Sequence, residues 1–135
     1  MAKLVPKIYP NDSTSNPIGI GFPLVVGSPK HNYTTTAQVH DNLRNLILTM
    51  KGERVMQPTF GSDIYLLLFE NIYDQQLTDS ATTAIKSAVA TWMPFVTINN
   101  VDVTSDVDNN KTTIQILYSV QGWPAENILN LSVDI

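Results

Sequence analysis

Residues 51–70, KGERVMQPTFGSDIYLLLFE, decide the fold, because helix-like patterns lie on both sides of them and strand-like runs follow later in the chain. Lys51 and Gly52 are typical of a helix end, since glycine adopts the left-handed conformation that closes a helix and lysine suits its negative end. Pro58 excludes a helix through the middle of the stretch and favours an extended shape for the residue before it. The stretch therefore predicts an irregular crossing between two helices.

Two charged residues follow the predicted helix end. In an extended chain Glu53 and Arg54 point to opposite faces, so that one can hold an internal partner while the other faces out. Further along, Ser62 or Asp63 is suited to cap a short helix that contains the apolar block and ends at Phe69.

The first long helix is predicted from about Thr36 to about Lys51. Residues 35–38, TTAQ, match the capping box, in which a threonine hydroxyl and a glutamine side chain satisfy free amide groups. Apolar residues then recur at helical spacing and form one stripe: Val39, Leu43, Leu46, Ile47 and Met50.

The second long helix is predicted from about Asp79, with Thr78 or Asp79 as its cap, to about Met93, where Pro94 stops it. Its apolar stripe consists of Ala81, Ile85, Ala88, Val89 and Trp92. Trp92 continues the stripe, so that a place in the core is the preferred interpretation of this residue.

The remainder of the chain has the period of β-strands. Val96 and Ile98 alternate in one phase and Val101 and Val103 in the other, which predicts a bulge near residues 99–100. A turn at 108–110 precedes a strand over about 112–121, and a break at 122–124 precedes a last run over 128–135. In that run Leu129, Leu131, Val133 and Ile135 share one face.

These elements predict an α+β fold in which two main helices pack on one face of a small, mainly antiparallel sheet. Residues 1–18 contain three prolines and predict an extended N-terminal arm, and residues 19–135 form a single domain. Within that domain, Pro23 restricts the apolar run over 19–26 to an edge strand or an extended segment.

Composition restricts the classes of function. Hydrophobic residues make up 43% of the chain and charged residues only 15%, which is low for a soluble domain and suits a subunit buried in an assembly. A threonine- and asparagine-rich soluble monomer is the alternative. The net charge of −4, without a basic cluster, argues against binding of nucleic acid. No run approaches the roughly 20 apolar residues of a membrane span and no signal peptide is seen, so we expect folding in the cytoplasm.

No catalytic, cofactor or metal site is predicted. The chain has no cysteine, and its two histidines, His31 in a predicted turn and His40 off the helical stripe, lack a second ligand at a metal-binding spacing. The sequence contains neither a nucleophile elbow nor a glycine-rich phosphate loop.

The first helix end and the stretch after it carry the motif of a known family. The matching residues, in order, are Arg44, Asn45, Leu46, Leu48, Thr49, Lys51, Gly52, Glu53, Arg54, Pro58, Phe60, Gly61, Leu67, Phe69 and Glu70. In this pattern the chain resembles the baseplate wedge, or sheath-initiator, family of contractile phage tails, which has relatives in type VI secretion baseplates and phage-tail-like bacteriocins. The resemblance extends from about Gly19 to the C-terminus.

The resemblance implies a structural subunit, without enzymatic activity, of a virion tail baseplate that is assembled in the host cytoplasm. It implies several copies in a symmetric assembly and contacts with baseplate wedge subunits and the tail sheath protein, with tube or hub proteins as further candidates. We expect no nucleic acid or membrane partner. The candidate interaction residues are Glu53, Arg54, Pro58, Phe60, Gly61, Met93, Pro94, Phe95, Leu129, Leu131 and Val133.

The chain departs from the family after the second long helix. The family commonly has Glu-Pro-Arg there, a motif associated with wedge binding, whereas this chain has Met93, Pro94 and Phe95. The uncharged residues argue against docking through charges at this position. Apolar docking is the replacement that we expect, since Met and Phe are favoured in interface cores.

Sheath recruitment is expected to use a strand edge, by the addition of an extended arm of a sheath subunit to the sheet. The strand over 112–121 alternates most strongly and is placed inside the sheet. The terminal run over 128–135 is slightly favoured as the pairing edge over the bulged strand Val96–Val103.

The alternative function is a small peptidoglycan-degrading enzyme, because proteins of this family have carried a lysozyme label. Glycoside hydrolysis requires two carboxyl groups about 5–10 Å apart across a cleft. Glu53, Asp63, Glu70 and Asp74 are the candidates, and structural or surface roles are the preferred interpretation of all four.

Overall fold

Eight elements make up the part of the chain that the computed structural model describes, which is residues 17–70, 74–106 and 108–134. In chain order they are β1 (Gly19–Ile20), β2 (His31–Asn32), α1 (Thr35–Leu48), α2 (Ile64–Phe69), α3 (Asp74–Trp92), β3 (Val96–Asp106), β4 (Lys111–Val120) and β5 (Asn127–Asp134). Within these ranges no helix is long and apolar enough to cross a bilayer. The predicted α+β class is confirmed.

The main sheet is antiparallel and has the order β3-β4-β5. The strand predicted for the interior, β4, lies in the middle. The register of β3 against β4 shifts between Ile98 and Asn100, which confirms the predicted bulge. Along β4 and β5 buried residues alternate with exposed or half-buried ones. The alternation arises because one face of the sheet packs on the helices and the other is open.

The core lies between the helices and the covered face of the sheet. Helices α1, α2 and α3 contribute Val39, Leu43, Leu46, Ile47, Ile64, Leu68, Leu77, Ala81, Ile85, Ala88 and Val89. Strands β3, β4 and β5 contribute Val96, Ile98, Val101, Ile114, Ile116, Tyr118, Val120, Leu129, Leu131 and Val133, while Val103 packs at the edge of this core. The predicted apolar face of the terminal strand is therefore the buried face.

Helix α1 begins one residue earlier than the capping-box prediction and ends three residues earlier. Its N-cap is Thr34, whose hydroxyl accepts from the amide of Ala37 at 3.2 Å. Gln38 does not close the capping box, since its side chain donates to Asn42 at 2.7 Å instead. Because the helix ends at Leu48, Met50 leaves the predicted stripe and is 39% exposed.

Helix α2 has its predicted bounds, Ile64–Phe69 with Asp63 as N-cap, whereas α3 differs from the prediction. Asp63 is the N-cap of α2, but its side chain makes no capping hydrogen bond. Helix α3 begins at Asp74, five residues before the predicted start, because the buried Leu77 extends the apolar stripe by one turn. It ends at Trp92, two residues before Pro94, as the proline predicts.

A short hairpin, β1 with β2, precedes α1 and pairs Gly19 with Asn32. His31 lies in β2 and not in the predicted turn. The amide of Ile18 donates to the carbonyl of Asn32 at 2.8 Å, so residue 18 already belongs to the hairpin. Residues 1–16 of the predicted arm lie outside the described residues.

The hairpin is anchored to α1 by a buried polar pair. The side-chain amide of Asn32 donates to the carboxylate of Asp41 at 2.6 Å, and both residues are buried. Nearby, the hydroxyl of the fully buried Tyr118 lies 3.2 Å from Nδ1 of His40. Burial, together with the Asp41 carboxylate, raises the pKa of Tyr118 to about 12.

This shift predicts a loss of stability in alkali. Between pH 10 and about 12, Tyr118 ionises in the unfolded chain and not in the folded one, so the free energy of unfolding falls as the pH rises through this range. Below pH 10 the contribution is fully present. We expect the Tyr118→Phe variant to lose stability less steeply than the parent chain between pH 10 and 12. The free energy of unfolding is measured by urea titration at each pH. If it falls equally steeply with pH in both chains, the raised pKa of Tyr118 is contradicted.

Candidate interaction surfaces

The signature motif folds into a closed loop, residues 49–62, which we call the signature loop. The amide of Ser62 donates to the carbonyl of Thr49 at 2.9 Å, and that of Gly52 to the carbonyl of Pro58 at 2.7 Å. The buried hydroxyl of Ser62 donates to the carbonyl of Ile47 at 2.6 Å. These bonds join the two ends of the loop and tie them to the last turn of α1.

The helix stop lies at Thr49 and not at Gly52. Thr49 is the C-cap of α1, with extended backbone, and its hydroxyl donates to the carbonyl of Asn45 at 2.6 Å. Gly52 has the predicted positive φ, at 89°, but uses it in the turn that enters the signature loop. Both ends of the loop therefore depend on glycine, with Gly61 at the other end at a φ of 122°.

Gly61 is restricted more severely than Gly52. A Cβ atom at Gly61 would collide with the carbonyl oxygen of Thr49, whereas one at Gly52 would meet no atom within 4 Å. The collision is with backbone, which cannot move without breaking the bond between Thr49 and Ser62. Gly61 is thus the position at which the motif requires glycine for close approach as well as for conformation.

Glu53 and Arg54 are both exposed, so neither holds the internal partner that an extended chain would allow. The carboxylate of Glu53 accepts from the amide of Met50 at 3.1 Å on the loop surface, which stabilises the turn. The Arg54 guanidinium lies 3.9 Å from the centroid of the Phe60 ring, in a cation–π contact. Phe60 in turn contacts Trp92 edge to face, with ring centroids 5.1 Å apart. Trp92 is half-buried at the border of the core, so the stack of Arg54, Phe60 and Trp92 joins the loop to the end of α3.

The tip of the signature loop exposes two apolar residues that the sequence interpretation missed. Val55 is 94% exposed and Met56 is 91% exposed. The sequence did contain a signal for this exposure, because the two apolar residues are adjacent in a stretch that has neither a helical nor a strand period. Pro58 also lies exposed, at the base of this tip.

The turn between α3 and β3 presents less apolar surface than expected. Met93 is only 6% exposed and packs in the core, so its side chain is not free for apolar docking. Pro94 is exposed, and Phe95 is half-buried against the core. The carbonyl of Phe95 accepts from the amide of Gln121 at 2.9 Å, which fixes the turn to the end of β4.

Both outer strands of the main sheet, β3 and β5, leave one backbone edge without a strand partner among the described residues. On β5 the side chains of Leu129, Leu131 and Val133 are buried, so this strand can meet a partner only through its backbone and its open face. That open face carries Ile128, Asn130 and Ser132, all exposed.

The acidic side chains form no metal site within the described residues. Asp63 forms a half-exposed ion pair with Lys51 at 2.6 Å, which is worth little in water. Glu70 is exposed at the end of α2, and the side chain of Asp74 lies outside the described part of the chain.

Comparison with known proteins gives one family and several similar structures. The model of the family described as baseplate wedge protein gp25 matches residues 34–125. No curated protein sequence gives a significant match. The crystal structure of a Geobacter sulfurreducens protein with the provisional name tail lysozyme has a TM-score of 0.66 at 20% identity, covering 84% of this chain and 96% of that one.

Two baseplate structures are also similar. A chain of the anti-feeding prophage baseplate has a TM-score of 0.53 at 18% identity, covering 85% of this chain and 82% of that one. A chain of the postcontracted pyocin R2 baseplate has a TM-score of 0.51 at 17% identity, covering 86% and 98%. At these identities the likeness shows a shared fold.

Substitution of the two glycines of the signature loop is expected to lower the free energy of unfolding by different amounts. Gly52→Ala is expected to destabilise the fold by about 1 kcal/mol, since only the left-handed conformation is penalised. Gly61→Ala is expected to cost roughly 3 kcal/mol or more, because backbone must move as well. Pro58→Ala, at about 0.4–1 kcal/mol, serves as a control for unfolded-chain entropy in the same loop. Equal midpoints of urea unfolding for the two glycine variants would contradict the close approach at Gly61.

Proposed function

Because the chain belongs to the baseplate wedge protein gp25 family, we propose that it is a structural baseplate subunit that joins the wedge to the first sheath ring. In this role it occupies the tail baseplate in several symmetric copies and initiates sheath assembly. Its domain extends from Ile18, which the hairpin holds, to residue 135, and the residues before it serve as an arm toward a neighbouring subunit.

The observation that carries the proposal is the edge of β5. This strand has eight residues in unbroken register with β4 and no strand on its other side among the described residues. Eight residues extend over roughly 26 Å, which is enough for an added strand to form a full ladder. Backbone hydrogen bonds then provide affinity that depends little on side chains, so that one edge can accept the arm of a sheath subunit.

The open face next to this edge supplies a side-chain contact. Ile128 is 53% exposed and pairs in register with Leu117, which lies half-buried on the same face of β4. An apolar side chain of an added strand would extend this pair across the sheet, in the way that cross-strand neighbours stabilise one another.

The opposite edge is less suited to pairing. Strand β3 contains the bulge between Ile98 and Asn100, which interrupts a regular ladder. It also exposes the carboxylates of Asp102 and Asp106. The side-chain hydrogen bond from Asn109 lowers the pKa of Asp106, which keeps this carboxylate charged. Bulges and charges are the features by which proteins protect an edge strand, so we assign recruitment of the sheath to β5.

Pairing at β5 is tested by removing one amide donor from its edge. Asn130→Pro and Ser132→Pro have the same parity along the strand, and each deletes one N–H group. We expect folded baseplates that carry either variant to form no sheath, as seen by electron microscopy. Ser132→Ala keeps the amide and is the control. Ser105→Pro on β3, an exposed position whose amide faces away from β4, is the matched change on the other edge and is expected to allow normal sheaths.

The pairing proposal fails if sheaths of normal length assemble on folded Asn130→Pro and Ser132→Pro baseplates. If, in addition, Ser105→Pro stops assembly, the edge of β3 becomes the pairing surface. Circular dichroism of each purified variant separates a lost edge from a lost fold.

A non-enzymatic role is part of the proposal. Of the four candidate carboxylates, Glu53 is bonded to the amide of Met50 and Asp63 to Lys51, which are structural uses. Peptidoglycan hydrolysis remains the alternative function, and the name of the Geobacter sulfurreducens protein is the observation that favours it.

We therefore predict no clearing of peptidoglycan by the purified chain in a zymogram. Hen egg-white lysozyme in the next lane is the positive control. Clearing that disappears in a folded Glu53→Gln variant would establish the enzymatic alternative in place of the structural one.

A further inference from the structure

A groove that Arg54 helps to line lies between the signature loop, α1 and the end of α3. Its walls are Asn42 and Asn45 of α1, Arg54 and Phe60 of the loop, and Trp92 of α3. We call it the Arg54 groove. Among the described residues that line it, Arg54 alone is charged, and the chain as a whole carries a net charge of −4.

The Arg54 guanidinium is held in place but not neutralised. One face of it lies on the Phe60 ring at 3.9 Å, and Phe60 is itself fixed by its edge-to-face contact with Trp92. Within the described residues the only ion pair is Lys51 with Asp63, so no described carboxylate satisfies Arg54. Stacking occupies the face of a guanidinium and leaves the N–H groups at its rim free to bind a carboxylate with two parallel hydrogen bonds.

The two asparagines add donors to the same groove. Oδ1 of Asn42 accepts from Nε2 of Gln38 at 2.7 Å, and Oδ1 of Asn45 lies 3.5 Å from the hydroxyl of Thr49. Their oxygens are therefore directed to partners on α1 and at its C-cap, which leaves the NH₂ groups without an acceptor in the described structure. A groove with a cation, amide donors and no lining carboxylate selects a hydrogen-bond acceptor with negative charge.

We propose that the Arg54 groove binds an acidic side chain, Asp or Glu, of a wedge subunit, with an apolar neighbour of that residue on Phe60 and Trp92. This inference rests on the proposed function, because it identifies the contact through which the subunit holds the wedge. Arg and Trp are the residue types that most often dominate the energy of an interface, and here both line the same groove. The exposed tip formed by Val55 and Met56 continues the apolar surface along the same loop.

The test is co-purification of this chain with the wedge proteins of its own device, followed by measurement of affinity. Arg54→Glu is expected to weaken binding at least tenfold, because it places a like charge against the partner carboxylate. Lys86→Glu reverses the charge of an exposed lysine on α3 outside the groove and is the matched control, with no expected change.

A second variant leaves the aromatic stack intact. Asn42→Asp keeps an oxygen for Gln38 but replaces the free NH₂ donor with a negative oxygen on the exposed surface of α1. We expect weakening in the same direction, so the proposal stays testable even if Arg54→Glu fails to fold. Thermal unfolding of each variant reports the fold independently of binding.

Cross-linking identifies the partner group. With Arg54→Lys, a carbodiimide is expected to couple the new amine to a carboxylate seated in the groove, as an amide that mass spectrometry locates on the wedge subunit. The unsubstituted chain should give no such link at position 54. If the parent chain binds no wedge protein, the proposed function fails and this inference with it. If the parent chain binds but Arg54→Glu and Asn42→Asp bind equally well, the groove proposal alone is overturned.

Discussion

The structure depends on the hydrogen bonds that return the signature loop to the end of α1. Ser62 reaches the carbonyl of Ile47 through its buried hydroxyl and the carbonyl of Thr49 through its amide. A helix leaves its last carbonyls without partners, and here the loop supplies them from thirteen or more residues later in the chain. This closure requires Gly61 where the loop meets the backbone of Thr49. It also places the start of α2 at the core, where Ile64 is buried.

The same closure brings together side chains that have separate roles. Glu53 is used inside the loop, whereas Arg54 and Phe60 are placed against Trp92, at the far end of α3. Residues of the loop therefore form one surface together with residues of α1 and α3. The loop is held by backbone hydrogen bonds and by the conformations of Gly52 and Gly61. The exposed side chains at its tip, Val55 and Met56, take no part in these contacts.

The sheet provides the second surface on a different physical basis. In the described part of the chain the helices lie on one side of the sheet, and the other face is open and polar, with Ile128 and Leu117 as an apolar exception. The bulge and the carboxylates of β3 make the two edges of the sheet unequal. A subunit of an assembly needs contacts of more than one kind. The groove offers a positive charge to side chains, whereas the strand edge offers backbone hydrogen bonds, and the two surfaces lie at different places on the molecule.

Local periodicity in the sequence determined the α+β class, the apolar stripes of α1 and α3, the bulge near Asn100 and the central place of β4, because each depends on neighbours within a few residues. The helix-end signal at Lys51 and Gly52 predicted the positive φ of Gly52 but placed the end of α1 too late. Only the tertiary structure decided where α1 ends, since Ser62 competes for its carbonyls, and that Met93 points inward. The stacking of Arg54 on Phe60 and of Phe60 on Trp92 was likewise beyond local pattern, because Phe60 and Trp92 are far apart in the chain and meet only when the loop closes.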